Sequence, residues 1–135
     1  MTNPFKHAVA LSILCALTGT VAAADLVVIG GPAAGALTKE QVADLFLGKS
    51  QEFTPVDQAE SSPIYAEFYK KATGRDVSQV KSTWSRVVFS GKGQAPKQLA
   101  DSAAVKKAVA ADPKGVGYIE KSAVDATVKV VLGLD

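Results

Sequence analysis

Cysteine and histidine are nearly absent from this chain, which contains one of each, Cys15 and His7. Both lie close to the N-terminus, in a segment with the pattern of a cleaved leader. The rest of the chain therefore cannot form a disulfide, a Cys or His zinc site, a His-ligated haem, or a Ser-His-Asp or Cys-His catalytic group. Only carboxylate or lysine chemistry remains for catalysis. We expect no metal, no cofactor and no enzymatic activity.

An excess of charge of one sign is also lacking, since 15 Lys and Arg residues face 13 Asp and Glu residues. A formal net charge of +2 is too small to indicate a nucleic-acid partner or a polyanionic surface. A third absence is a long hydrophobic run, because no apolar stretch reaches the roughly 20 residues that span a bilayer. The length of 135 residues fits one ordinary globular domain.

The first 24 residues differ in composition from the rest. Lys6 and His7 form a short basic start, residues 8–17 are apolar without a charge, and residues 22–24 are three alanines that suit a signal peptidase. This pattern predicts a signal peptide over residues 1–24, cleaved after Ala24. A membrane anchor is the alternative, which the shortness of the apolar run disfavours. We expect a periplasmic or secreted protein whose residues 25–135 form one domain without a membrane span.

Short apolar runs alternate with amphipathic segments along residues 25–135. The pattern predicts strands at residues 25–29, 53–57, 116–119 and 127–132, a short extended piece at 97–100, and helices beginning at Thr38, at residues 61–63, at Asp76 and at Asp101 or Ser102. This alternation favours an α/β domain with a central mixed sheet flanked by about four helices. Four aromatic residues at helical core spacings are assigned to packing: Phe46, Phe68, Trp84 and Phe89.

Two segments are candidates for binding an anion through backbone amides. A serine pair follows a predicted strand and precedes a helix, where open α/β sheets bind ligands, although ordinary capping also explains it. A glycine loop at residues 90–93 forms either an amide concavity or a solvated crossover. The candidate ligand-binding residues are Ser61, Ser62, Ser90, Gly91, Lys92 and Gly93. A cationic cluster that flanks a helix C-terminus is interpreted as solvated surface: Lys70, Lys71 and Arg75.

The order of several motifs resembles the phosphate-binding (substrate-binding) proteins of ABC-type phosphate transporters. The motifs are residues 37–48 (LTKEQVADLFLG), 55–56 (PV), the serine pair ahead of a helix with Phe68, 90–93 (SGKG) and 114–119 (KGVGYI). The resemblance covers residues 37–119. It implies an α/β fold of the type II periplasmic binding protein class, here as a single lobe. It also implies phosphate or a similar anion as ligand, and an ABC transporter permease or another periplasmic protein as partner.

The chain departs from this family pattern at the expected anion motif. In the family, an arginine shortly precedes a Ser-Gly-Thr helix start, and the corresponding segment here is residues 57–63. Ser61 is kept, but Asp57 stands at the arginine position and Ser62 and Pro63 replace the Gly-Thr pair. A guanidinium holds phosphate by bidentate hydrogen bonds, whereas a carboxylate repels a dianion.

Two functional hypotheses follow from this comparison. The first is an exported solute-binding module that binds phosphate or another oxyanion weakly at a helix N-terminus. The alternative is a periplasmic protein-interaction module that kept the fold but lost phosphate binding. A carboxylate pair for acid-base chemistry is available only from Asp57 and Glu60, and their spacing does not predict that they converge.

Overall fold

A computed structural model describes residues 25–134 of the chain, so the predicted signal peptide lies outside the described residues. The strands are β1 (Leu26–Gly30), β2 (Thr54–Gln58), β3 (Lys97–Leu99), β4 (Gly115–Glu120) and β5 (Lys129–Leu134). The helices are α1 (Lys39–Phe46), α2 (Tyr65–Thr73), α3 (Val77–Phe89) and α4 (Ser102–Ala111), and a 3₁₀ turn covers Lys121–Ala123. No helix among residues 25–134 is long and apolar enough to cross a membrane.

The five strands form one mixed sheet in the order β3-β2-β4-β1-β5. β2 runs parallel to both of its neighbours, β3 and β4. β1 runs antiparallel to both β4 and β5. This arrangement confirms the predicted α/β class with a central mixed sheet. It also brings the carboxyl ends of β2 and β3 to the same edge, where ligands bind in open α/β sheets.

The sheet is covered by helices on both faces, and β1 shows why. Leu26 and Val28 pack in the core beneath α1, α2 and α3, while Val27 and Ile29 pack on the opposite face with α4. Successive side chains of a strand point to opposite faces, so a strand buried on both sides is apolar throughout. All five residues of β1 are buried.

Three of the predicted helix starts have the expected caps. The side chains of Thr38 and Asp76 each accept a hydrogen bond from the backbone amide of the Gln three positions on. The Oε1 atom of that Gln in turn accepts a hydrogen bond from the backbone amide of the cap residue. Asp101 accepts the Ala104 amide at 2.9 Å and caps α4. Such caps satisfy amides that the helix leaves without a partner, and they depend on local sequence alone.

Two expectations are wrong. The second helix begins at Tyr65 and its cap position, Ile64, makes no side-chain cap bond, so the serines before it do not cap the helix. Phe89, assigned to the core, is 96% exposed. The physical reason is that α3 is an outer helix, in which Val80 is the one buried residue. Phe89 ends this helix beyond the edge of the core.

Candidate functional site

A network of side-chain hydrogen bonds around Gln58 joins the carboxyl end of β2 to β4, to the start of α4 and to the turn after β2. Its amide nitrogen Nε2 donates to Ser102 Oγ at 3.1 Å and to the Tyr118 carbonyl at 3.0 Å. Its carbonyl oxygen Oε1 accepts the Ser62 hydroxyl at 2.6 Å. The network fixes the turn after β2 against the start of α4. The edge of the sheet at which ligands are expected is therefore rigidly built.

Asp57 is a buried carboxylate whose oxygens are held by two tyrosines. The Tyr69 hydroxyl donates to Oδ2 at 2.6 Å, the Tyr118 hydroxyl donates to Oδ1, and the Gln58 backbone amide donates to Oδ1 at 2.8 Å. Burial raises the pKa of Asp57 above its ordinary value, the three donors oppose that rise, and the nearby Glu60 adds to it. Asp57 therefore anchors α2 and β4 to β2.

The same burial, together with the charge of Asp57, raises the pKa of both Tyr69 and Tyr118. Their hydroxyls consequently stay protonated and act as donors. Asp57 stands where the resembled family has an arginine, and the structure explains this departure. The carboxylate accepts hydrogen bonds from both tyrosines and forms a Tyr-Asp-Tyr cluster. An arginine here would leave both hydroxyls without their acceptor.

The two predicted serines have different environments. Ser61 is exposed in the turn between β2 and α2. Ser62 is half-buried, its hydroxyl donates to Gln58, and its amide donates to the Ala59 carbonyl at 2.8 Å. Both residues precede the N-terminus of α2 by one turn. Ser61 is the member of the pair that is open to a solute.

The predicted glycine loop is the end of helix α3. The Gly91 amide donates to the Val88 carbonyl and the Lys92 amide donates to the Val87 carbonyl, both at 3.1 Å, while Gly91 has a φ of 73°. This paired bonding around a left-handed residue is the Schellman motif, which ends helices. The Ser90 hydroxyl and amide are also used, since they donate to the carbonyls of Val87 and Arg86.

The structure does not unite the two predicted segments into one site. Among residues 25–134, no hydrogen bond joins Ser61 or Ser62 to the loop at residues 90–93. Within the loop, Lys92 and Gly93 line two different cavities. The glycine loop therefore belongs to a surface separate from the serine turn.

A groove of about 530 Å³, here called the aromatic groove, lies between α2, α3 and β3. Its lining is mainly apolar and consists of Asp57, Glu60, Tyr65, Tyr69, Val80, Lys81, Trp84, Ser85, Val88, Phe89, Ala95, Pro96 and Gln98. Phe89 and Val88, 96% and 50% exposed, stand at one end. The groove does not follow from the sequence pattern, because helical spacing assigns Phe89 to the core whereas its side chain is exposed.

Asp57 and Glu60 both line the aromatic groove, although their spacing in the sequence does not predict that they converge. Neither is free for acid-base chemistry. Asp57 is bonded to its tyrosines, and Glu60 Oε2 pairs with Lys81 Nζ at 2.8 Å. Burial, together with the charges of these two carboxylates, raises the pKa of Tyr65 to about 12. Among the described residues, no group of three His, Cys, Asp or Glu side chains could hold a metal ion.

A second cavity of about 530 Å³, here called the basic cavity, is lined by Lys49, Arg75, Arg86 and Lys92, with Leu47, Gly48, Thr83 and Val87. The sequence pointed to Lys92, and it treated Arg75 as solvated surface. The structure adds that Arg75, which is half-buried, shares this cavity with three other cations. A local signal was present, since a cation directly follows each of three helix-ending glycines.

Comparison with known proteins establishes the fold. No protein-family model and no curated protein sequence matches the chain. Three solved structures share its architecture: an ABC-type phosphate transport receptor from Vibrio cholerae, a protein described as a phosphate ABC transporter substrate-binding protein with bound phosphate from Clostridium perfringens, and PstS from Borrelia burgdorferi.

The three matches are similar in extent. Sequence identities are 20%, 19% and 14%, and TM-scores are 0.62, 0.61 and 0.60. The matches cover 80%, 80% and 81% of this chain but 46%, 44% and 47% of the other chains. The chain thus spans less than half the length of these proteins. The expected resemblance to phosphate-binding proteins of ABC transporters is confirmed at the level of fold, and the neighbours are transport proteins rather than enzymes.

Proposed function

We propose that this protein is an exported solute-binding module that binds phosphate or a related oxyanion and performs no catalysis. The observation that carries the proposal is the position of the exposed Ser61, in the turn that joins the carboxyl end of β2 to α2. Ligands of open α/β sheets bind at such a turn. The fold shared with proteins of phosphate transport supports the same choice of ligand.

The chemistry of this turn supports weak rather than tight binding. The N-terminus of α2 carries a partial positive charge and free amides, which favour an anion. Glu60 is adjacent to Ser61, but its charge is offset by the 2.8 Å ion pair with Lys81. The turn offers no guanidinium, and the Ser62 hydroxyl is engaged by Gln58. An oxyanion would therefore be held by the Ser61 hydroxyl and neighbouring amides.

Calorimetric titration of the secreted protein with phosphate and with sulfate tests this proposal. We expect a millimolar dissociation constant for phosphate and a several-fold loss of affinity in the Ser61→Ala variant. Ser122→Ala is the matched control, since Ser122 is exposed on the distant 3₁₀ turn. The absence of heat and of thermal stabilisation at millimolar phosphate would refute the proposal.

Export forms a second part of the proposal. We infer that residues 1–24 direct secretion and are removed after Ala24, so that residues 25–135 act in the periplasm or outside the cell, with an ABC transporter permease as partner. The support is the basic start, the apolar run and the small residues at the cleavage position. Intact-mass measurement of the protein recovered from the periplasm of an expressing cell should give a chain that begins at Asp25. A cytoplasmic chain that retains Met1 would contradict this inference.

A protein-interaction function is the second candidate, and the aromatic groove favours it. An aromatic side chain that is 96% exposed at the end of an apolar groove is unusual on a protein that binds only small anions. In this alternative another periplasmic protein covers Phe89 and Val88. Light scattering and cross-linking of Phe89→Ser against the parent protein separate the candidates, because only a docking function loses its partner in this variant.

A further inference from the structure

The three glycines with positive φ among residues 25–134 share a feature of sequence. Each ends a helix, with φ of 79° at Gly48, 71° at Gly74 and 73° at Gly91. The residue that follows each one is a cation, in the pairs Gly48–Lys49, Gly74–Arg75 and Gly91–Lys92. The C-termini of α1, α2 and α3 are therefore all marked by a left-handed glycine and a positive side chain.

Hydrogen bonds at these helix ends hold the cationic residues in position. The Lys49 amide donates to the Asp44 carbonyl at 2.8 Å, and the Lys92 amide donates to the Val87 carbonyl at 3.1 Å. The Arg75 guanidinium Nη1 donates to Thr83 Oγ1 at 3.3 Å, which orients it on the surface of α3. The backbones of two lysines and the side chain of one arginine are thus held in place.

All three cations line the basic cavity, where Arg86 from the last turn of α3 joins them. The lining contains no carboxylate. Within the part of the chain that the structure describes, none of the four side chains forms an ion pair, whereas Lys71, Lys81 and Lys106 do. The cavity therefore concentrates positive charge in a protein that carries a formal net charge of only +2.

Cations at helix C-termini are commonly explained by the helix dipole, and this explanation covers only part of the charge. Each helix C-terminus carries about half a negative charge, so three of them supply roughly −1.5 in all. The four side chains carry four positive charges. An excess of about 2.5 positive charges is left, which favours the binding of a polyvalent anion.

We propose that the basic cavity binds a condensed phosphate, of which pyrophosphate is the smallest. Two guanidinium groups suit bidentate contacts with phosphate oxygens, and two ammonium groups supply further charge. A volume of about 530 Å³ exceeds what one oxyanion fills, and it accommodates two or three linked phosphates. This site is separate from the Ser61 turn and goes beyond the function proposed above, since it names another surface and another ligand.

Titration of the purified secreted protein with pyrophosphate tests the proposal. Trp84, the only tryptophan, reports on the cavity because its ring lies against Gly48, which lines the cavity. A Cβ atom added at Gly48 would lie 3.1 Å from Cη2 of this ring. We expect a fluorescence change and a calorimetric signal, both weakened by salt. Tripolyphosphate should bind at least as tightly as pyrophosphate, and orthophosphate at least tenfold more weakly.

A pair of double variants provides the control. Arg86→Gln with Lys92→Gln removes two cavity cations whose side chains are exposed, and Lys97→Gln with Lys107→Gln removes two exposed cations elsewhere. The first pair should weaken pyrophosphate binding at least tenfold, and the second less than twofold, with both variants as thermally stable as the parent. Equal affinity in the two pairs, or no binding of pyrophosphate to the parent, would overturn the proposal.

Failure of this proposal is distinguishable from failure of the proposed function. Orthophosphate binding that depends on Ser61, and not on Arg86 and Lys92, supports the proposed function. Pyrophosphate binding that depends on Arg86 and Lys92 supports the cavity proposal, and its absence refutes that proposal whatever orthophosphate does. Binding to vesicles of anionic phospholipid without competition by pyrophosphate also refutes it, because the surface would then recognise a membrane.

Discussion

Replacing Tyr118 with Phe removes one hydroxyl and keeps a ring that stacks on Phe68, with centroids 3.7 Å apart and planes 4° from parallel. The change should destabilise the fold without creating a cavity, because only the oxygen is lost. That oxygen donates to the buried carboxylate of Asp57 and also accepts the Gln58 amide at 3.3 Å. We therefore expect the whole effect to come from the polar cluster.

The magnitude follows from the charge of the acceptor. A hydrogen bond to a charged group contributes about 1.5–3 kcal/mol, against about 0.5–1.5 kcal/mol for a neutral pair. With Asp57 ionised, the variant should lose about 2 kcal/mol of unfolding free energy. With Asp57 protonated, it should lose about 1 kcal/mol.

The pH dependence has a definite sign. Burial raises the pKa of Asp57 in the folded state, so its contribution to stability is most favourable below the unfolded pKa and is lost as pH rises through the folded pKa. The Tyr118 hydroxyl opposes this rise. Removing that hydroxyl raises the folded pKa of Asp57 further, so the variant loses additional stability above it. The difference between variant and parent should accordingly grow from about pH 4 to about pH 8.

Urea unfolding, followed by the fluorescence of Trp84, measures both free energies. Tyr65→Phe is the matched control, since Tyr65 is buried in the same aromatic cluster, 5.2 Å from Tyr69 between ring centroids, and its hydroxyl makes no hydrogen bond to Asp57. This control should lose less than about 0.5 kcal/mol. The reasoning fails if Tyr118→Phe matches the control at pH 8, or if its loss is greater at acid pH.

Three further changes test the packing. In Gly117→Ala the new methyl group would lie 2.5 Å from Val105 Cγ1, so urea unfolding should show a loss of about 1–3 kcal/mol, whereas Gly133→Ala, with nothing within 4 Å, should show little. Gly91→Ala should lower the unfolding free energy by about 1–2 kcal/mol in the same assay, because alanine is strained at a φ of 73°. A loss as small as that of Gly133→Ala would contradict the role of Gly91 in ending the helix. Phe89→Ser should leave the free energy within about 0.5 kcal/mol, and a larger loss would mean that the exposed ring packs after all.

The features that sequence predicted well depend on short-range interactions. The capping pairs of Thr38 with Gln41 and of Asp76 with Gln79 span three residues, so the pattern alone locates both helix starts. The buried strand β1 is equally local, because an uninterrupted apolar run indicates burial on both faces. The order of the strands in the sheet was not predicted, since pairing between distant segments leaves no local pattern.

The candidate site was less predictable because long-range partners decide it. Ser62 has the local features of a helix cap, but its hydroxyl bonds to Gln58, whose side chain is fixed by Ser102, 44 residues further on. The sequence placed Asp57 at the arginine position of the resembled family, and the structure shows that its carboxylate accepts the hydroxyl of Tyr118, 61 residues away. Neither partner follows from spacing. Three glycine-cation pairs are visible in the sequence, but only the packing of α1, α2 and α3 brings their cations to one cavity.

Acidic side chains lie near the Ser61 turn, whereas cationic side chains line the basic cavity. The anion affinities of the two surfaces should therefore respond differently to pH. Near Ser61 the neighbouring acids are Asp57 and Glu60, and burial raises the pKa of Asp57. Sulfate, whose charge is constant over the range in which phosphates titrate, should bind less tightly at this turn as pH rises and Asp57 ionises. At the basic cavity no carboxylate lines the site, so a condensed phosphate that loses its remaining protons near neutral pH should bind more tightly. Affinities of sulfate and of pyrophosphate measured between about pH 4 and about pH 8 test this contrast, and tighter sulfate binding at higher pH would contradict the role given to Asp57.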